Sequence, residues 1–141
     1  MKAIAPTVER WYASRDRARA DAANAQFRGA GAFGSYDEAI ASPEITVVLV
    51  ALPPALHLDW TLRALRAGKH VILEKPPLLR SADFTAVNEA ARQANRQVMV
   101  AENYFYKPLA VALRRTIARA DLGDLRFIHI NALKQQATGD W

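Results

Sequence analysis

Ala67-Gly68-Lys69-His70-Val71-Ile72-Leu73-Glu74-Lys75-Pro76 is the stretch whose reading decides the fold. Gly68 can take the left-handed conformation that closes a helix. His70 to Leu73 is apolar and rich in β-branched residues, the pattern of a central strand. The strand then runs into an acid, a base and a proline. A carboxylate and an ammonium at the tip of a buried strand must be paired or placed to meet a ligand. Open α/β sheets bind their ligands beyond such tips. The run therefore predicts proton-transfer chemistry at the ligand edge of a sheet.

Working back from this stretch, Leu56 to Ala67 predicts a helix, with Leu58, Trp60, Leu62 and Leu65 forming a broad apolar face. Thr46 to Ala51 is apolar on both faces, as in a parallel strand covered by helices on each side. Leu52-Pro53-Pro54 stops it. Ser35-Tyr36-Asp37-Glu38 has the form of a capping box and predicts a short helix, ended by Pro43. Gly29 to Gly34 reads as a glycine-rich connector. Asp16 can cap a helix from Arg17 to Gln26, and Val8 to Ala13 predicts a strand ending at Ser14-Arg15-Asp16.

Working forward, Ser81 to Asn95 predicts a helix and Gln97 to Ala101 a strand, followed by Glu102-Asn103. Pro108 suits the start of a helix reaching Arg119. Leu122-Gly123-Asp124 predicts a turn, and Leu125 to Leu133 a more polar strand. Alternating strands and helices imply right-handed crossovers and a doubly wound parallel sheet. Its strands would end at Ser14-Arg15, Leu52-Pro53, Glu74-Lys75 and Glu102-Asn103. These polar ends, far apart in sequence, would converge on one edge.

Composition narrows the chemistry. With 141 residues, 51% of them hydrophobic, the chain can bury a core. It contains no cysteine, which removes disulfides, thiolate catalysis and cysteine-ligated metals and fits a cytoplasmic setting. No apolar run is long enough for a membrane span. The formal charge of +5 comes from arginines scattered over helices, without a basic run or an interleaved aromatic comb. That pattern argues against a nucleic-acid partner. No histidine pair has metal-ligand spacing, so no metal is expected.

Ala13-Ser14-Arg15-Asp16, Gly34-Ser35-Tyr36-Asp37-Glu38, Val50-Ala51-Leu52-Pro53 with His57, and Gly68-Lys69-His70-Val71 to Pro76 occur in an order and spacing that resemble the amino-terminal domain of the Gfo/Idh/MocA oxidoreductases. This is the family of glucose–fructose oxidoreductase and inositol dehydrogenase. The resemblance implies a Rossmann-like domain over residues 1–104 and the start of a second α+β domain over 105–141. It also implies hydride transfer between NAD or NADP and a sugar, cyclitol or related alcohol, and a homo-oligomeric longer parent.

By the same resemblance Lys75 takes or returns the hydroxyl proton, from a partly desolvated position, and the Lys75–Pro76 bond is cis. Glu74 orients Lys75 or the turn. Ala51, Leu52 and Pro53 line the cofactor, and His57, Glu74, Pro76, Glu102 and Asn103 lie close to it. Where the family often has Asn, Pro54 stands here. Ser14-Arg15 favours NADP over NAD, because an arginine after this strand can accommodate a 2′-phosphate. His70, Trp11, Trp60 and Trp141 are expected to be packing residues, and His129 falls in the last strand.

The family opens with a strand and a pyrophosphate-binding G-x-G-x-x-G turn, and nothing of that form is expected in this sequence. Gly29-Ala30-Gly31 follows the second strand of the pattern rather than the first. Lys2 to Pro6 resembles the end of the helix that should follow that turn. The expectation is a fragment of a longer enzyme, weak in cofactor binding by itself. The competing expectation is a non-catalytic Rossmann-like remnant or protein-interaction module.

Overall fold

Asp16 can start a helix because its carboxylate takes an amide proton that the helix leaves unsatisfied. In the computed structural model, which describes residues 8–119 and 123–131, its side chain accepts from the Ala18 amide at 2.9 Å. Helix α1 then runs Arg17–Phe27. It joins two short parallel strands, β1 (Trp11–Ala13) and β2 (Gly31–Phe33), with Trp11 opposite Gly31 and Ala13 opposite Phe33. The first strand is thus shorter than Val8 to Ala13, and the expected connector contains a strand. Gly31 is required there by packing: a Cβ on it would stand 2.4 Å from the Trp11 ring. That ring stacks on Phe33 with centroids 5.2 Å apart, so Trp11 packs as expected.

Ser35 caps α2 (Tyr36–Ala41), its hydroxyl accepting from the Glu38 amide at 3.1 Å. The return bond of the capping box is displaced by one residue. Glu38 Oε2 accepts from the Gly34 amide at 3.0 Å.

Strands β3 (Val47–Val50), β4 (His70–Leu73) and β5 (Val98–Val100) form a second parallel sheet in that order. A 3-10 turn, Pro54–Leu56, leads into α3 (His57–Arg66), and α4 (Ser81–Ala94) follows β4. Gly68 takes φ 74° and ends the α3 turn, as its lack of a Cβ allows. Val50, Val71 and Leu73 share one face of the sheet and bury against Ala64 and Leu65 of α3 and Val87 of α4. The opposite face carries Leu49, Ile72 and Met99 abreast. Leu49 is 57% and Met99 49% exposed. The expected cover on both faces is therefore present on one only among the described residues.

The expected single sheet is also two. The fold is α/β and Rossmann-like, but β1 pairs with β2 alone and β4 joins β3 to β5. Among the described residues no strand lies between β1 and β3 to carry the hydrogen-bond ladder across. Helix α2 provides a side-chain link instead. Tyr36 meets Trp60 edge-on at 5.0 Å, and Asp37 pairs with Arg63, which lies over the Trp60 ring.

On α3 the wholly buried Thr61 hydroxyl has no hydrogen-bond partner among the described residues. An unmade buried hydrogen bond costs about 1–3 kcal/mol. Thr61→Val keeps the shape, so we expect it to leave stability unchanged or raise it by about 1 kcal/mol. The urea midpoint at constant m checks this.

The chain divides into two compact units, Met1–Glu102 and Asn103–Trp141. The second holds a 3-10 turn, Asn103–Tyr106, and α5 (Pro108–Ala118), with Pro108 in the first turn where its missing amide is harmless. Arg114 lies over the Phe105 ring and donates to the Phe105 carbonyl at 2.6 Å. The strand expected over 125–133 is not formed over 125–131, where Phe127 and Ile130 are exposed. A strand needs a neighbour for its amides, and none pairs with it among the described residues. Residues 132 and 133, the Lys2 to Pro6 segment, Leu122 and Trp141 lie outside the described residues.

Candidate functional site at the carboxyl edge of the sheet

Val50, Leu73 and Val100 stand abreast, so β3, β4 and β5 end level. The last ladder bonds reinforce this: the Glu74 amide donates to Val50 at 3.0 Å and the Ala101 amide to Leu73 at 2.9 Å. The segments Ala51-Leu52-Pro53 and Glu74-Lys75-Pro76 therefore leave the sheet side by side.

At the tip of β4 the Glu74 carboxylate accepts from the Lys75 amide at 2.9 Å. This is a local bond that shapes the turn. The Lys75–Pro76 peptide bond is cis. Lys75 is exposed, not partly desolvated as expected. The reason is its place: the core residues end at Leu73, and position 75 has already left the cover of α3 and α4. Ala51 and Pro53 are exposed beside it, while Leu52 turns back onto the core.

His57, which the resemblance places close to the cofactor and which as a lone histidine also suits a structural role, has a wholly buried ring. Nε2 lies 2.7 Å from the Leu52 carbonyl, and Nδ1 lies 3.0 Å from that of Pro76 and 3.1 Å from that of Pro77. The ring thus meets protein backbone on both sides.

Beyond the turn, Asp83 is buried at the start of α4 and pairs with Arg80 at 2.9 Å. The hydrogen bond that Arg80 donates to Asp83, and then the Asp83 charge, hold the guanidinium above its ordinary pKa. Nothing in the sequence reading singled out this Arg-x-x-Asp pair, although its i,i+3 spacing is the signal that could have found it.

In the other sheet, the Ser14 amide donates to Phe33 at 3.3 Å and its hydroxyl accepts from the Asp16 amide at 3.1 Å. These bonds hold the turn after β1 with Arg15 exposed. Asp16 Oδ1 is taken by the helix cap, and Oδ2 lies 3.6 Å from Arg19 Nε.

Glu102 closes the first unit, its amide donating to Val100 at 2.8 Å, and Asn103 opens the second. His70 accepts at Nδ1 from the Gln97 amide at 3.2 Å, a packing role between β4 and β5. His129 is exposed. Among the described residues no three His, Asp or Glu side chains group as metal ligands, and no helix is long and apolar enough to cross a membrane.

The expectation that no G-x-G-x-x-G occurs needs correction, since Gly29-Ala30-Gly31-Ala32-Phe33-Gly34 spells it. A phosphate cradle of that form needs a strand before it and a helix opening within it. Here residues 31–33 are themselves strand β2, so the letters do not make the cradle.

Known proteins similar to this chain are consistent with one another. The model of an oxidoreductase family with an NAD-binding Rossmann fold, GFO_IDH_MocA, matches residues 11–102. A dTDP-3,4-didehydro-2,6-dideoxy-alpha-D-glucose 3-reductase of Streptomyces violaceoruber is 40% identical over 116 residues, covering 81% of this chain and 33% of the relative. An NADP(+) D-xylose 1-dehydrogenase of Haloferax volcanii is 38% identical over 112 residues, covering 79% and 34%. Among solved structures, levoglucosan dehydrogenase in complex with NADH and levoglucosan superposes with a TM-score of 0.76 at 29% identity, covering 82% of this chain and 31% of that one. The chain spans about a third of the length of the curated relatives it matches.

Proposed function

This chain belongs to the Gfo/Idh/MocA oxidoreductase family, with its NAD-binding Rossmann fold, and from that premise we propose that it supplies the nicotinamide-facing edge of an enzyme acting on the hydroxyl or keto group of a sugar or related alcohol. The observation that carries this is the level ending of β3 and β4, which sets exposed Lys75 beside exposed Ala51 and Pro53. The named relatives, a TDP-sugar reductase and two sugar dehydrogenases, support the substrate class.

The residues present fit part of a dinucleotide. Small or apolar groups at 51–53 can lie against a flat ring, and Arg15 is open to a 2′-phosphate. When bound, the cofactor accepts or gives the hydride. Lys75 Nζ holds or releases the proton of the substrate oxygen, and Glu74 shapes the turn that presents it. NADP is the preferred form in this reading, because Asp16 is occupied by its cap and Arg15 is not shielded.

The test is a fluorescence titration of the full-length gene product with NADPH and NADH. Arg15→Ala is expected to weaken NADPH about ten-fold or more, the size of one charged hydrogen bond, and to leave NADH unchanged. Equal losses for both would remove Arg15 from the 2′-phosphate site. A gene product that binds neither cofactor but associates through the apolar face of Leu49 and Met99 would favour the interaction-module reading instead.

A further inference from the structure

Two adjacent loops at the edge of the sheet are poor in amides. Pro53 and Pro54 follow β3, and Pro76 and Pro77 follow β4; none of the four has an N–H to give. The carbonyls of these loops still need donors. The His57 ring lies between them, wholly buried, with Leu52 O at 2.7 Å from Nε2 and Pro76 O and Pro77 O at 3.0 and 3.1 Å from Nδ1. Carbonyl oxygens only accept, so the contacts on the two sides are bonds together only in a ring that carries a proton on each nitrogen. A side chain thus does what the backbone ladder does inside the sheet, where proline does not interrupt it.

We propose that His57 is a positioning residue that holds the two loops of the site in register. Through Nδ1 it fixes the backbone just after Lys75, and through Nε2 it fixes Leu52 between Ala51 and Pro53. Its effect on turnover rests on the function proposed above; its effect on the loops does not. The ring is anchored by its own helix, as the first residue of α3, and its depth leaves it no route to a ligand.

The two nitrogens can be tested separately, because an asparagine amide nitrogen reproduces the place of Nδ1 and a glutamine amide nitrogen that of Nε2. In the 141-residue chain, His57→Asn is expected to keep the amide resonances of Glu74, Lys75 and Leu78 near their original positions and to shift those of Leu52 and Ala55. His57→Gln should do the reverse. Both variants shifting both loops alike, or neither loop, overturns the proposal. The unsubstituted chain gives a check that needs no variant: both His57 ring N–H protons should be present and exchange slowly with solvent, and a ring that carries only one, or loses either rapidly, also overturns it.

In the full-length gene product, His57→Gln is expected to lower kcat by roughly 10–100-fold, the scale of a small misplacement of a reacting group, with the cofactor KM little changed. His57→Asn should instead raise the cofactor KM and spare kcat. An unsubstituted gene product without turnover would count against the proposed function while leaving the resonance test of the clamp intact.

Discussion

Lys75→Ala in the full-length gene product is expected to lower kcat by about 10²–10⁴-fold, the usual contribution of a positioned proton donor or acceptor. Cofactor affinity should change far less. The two readouts separate because Nζ is proposed to act on the substrate oxygen, whereas the dinucleotide lies against residues 51–53 and Arg15. The side chain is exposed, so its removal leaves no cavity. The urea midpoint of the variant then separates a lost activity from unfolding.

Lys75→Arg sharpens the test. A guanidinium keeps the positive charge but does not give up its proton in the working range. If the ammonium shuttles a proton, arginine fails nearly as badly as alanine. Arginine at close to full kcat would reduce Lys75 to an electrostatic contact.

Much of this edge was legible in the sequence. The Gly68 stop, the 70–73 strand and the Glu-Lys-Pro turn are local features, each set by backbone preferences of a few residues, and they stand where expected. Three other features depend on neighbours that the sequence order does not display. Gly31–Phe33 looked like a connector because glycine is a poor strand former, yet Gly31 is needed beneath the Trp11 ring. The segment 125–131 has strand-like residues but no ladder partner among those described. His57 is placed near the cofactor only by its match to a family histidine, and nothing local shows what its ring meets. Its carbonyl partners come from 19 and 20 residues away as well as from five, and a contact of that range leaves no periodic mark.

The pleat of β4 yields the second large effect, on stability. Leu73→Ala is expected to cost about 2–5 kcal/mol, as for a buried leucine whose cavity cannot collapse. Leu73 is 1% exposed and packs in the cluster of Val50, Ala64, Leu65, Val71 and Val87, on a strand hydrogen-bonded on both sides. A domain of this size has about 5–15 kcal/mol in all, so the variant should unfold at much lower urea. Leu49→Ala is the control from the other face of the sheet. Leu49 is 57% exposed, and its loss should cost under about 1 kcal/mol. Urea midpoints at unchanged m give both numbers. Equal costs at the two positions would mean that the Leu49, Ile72 and Met99 face is covered in solution. The carboxyl edge would then be flanked by structure on both faces, and a ligand could reach Lys75 only from beyond the strand ends.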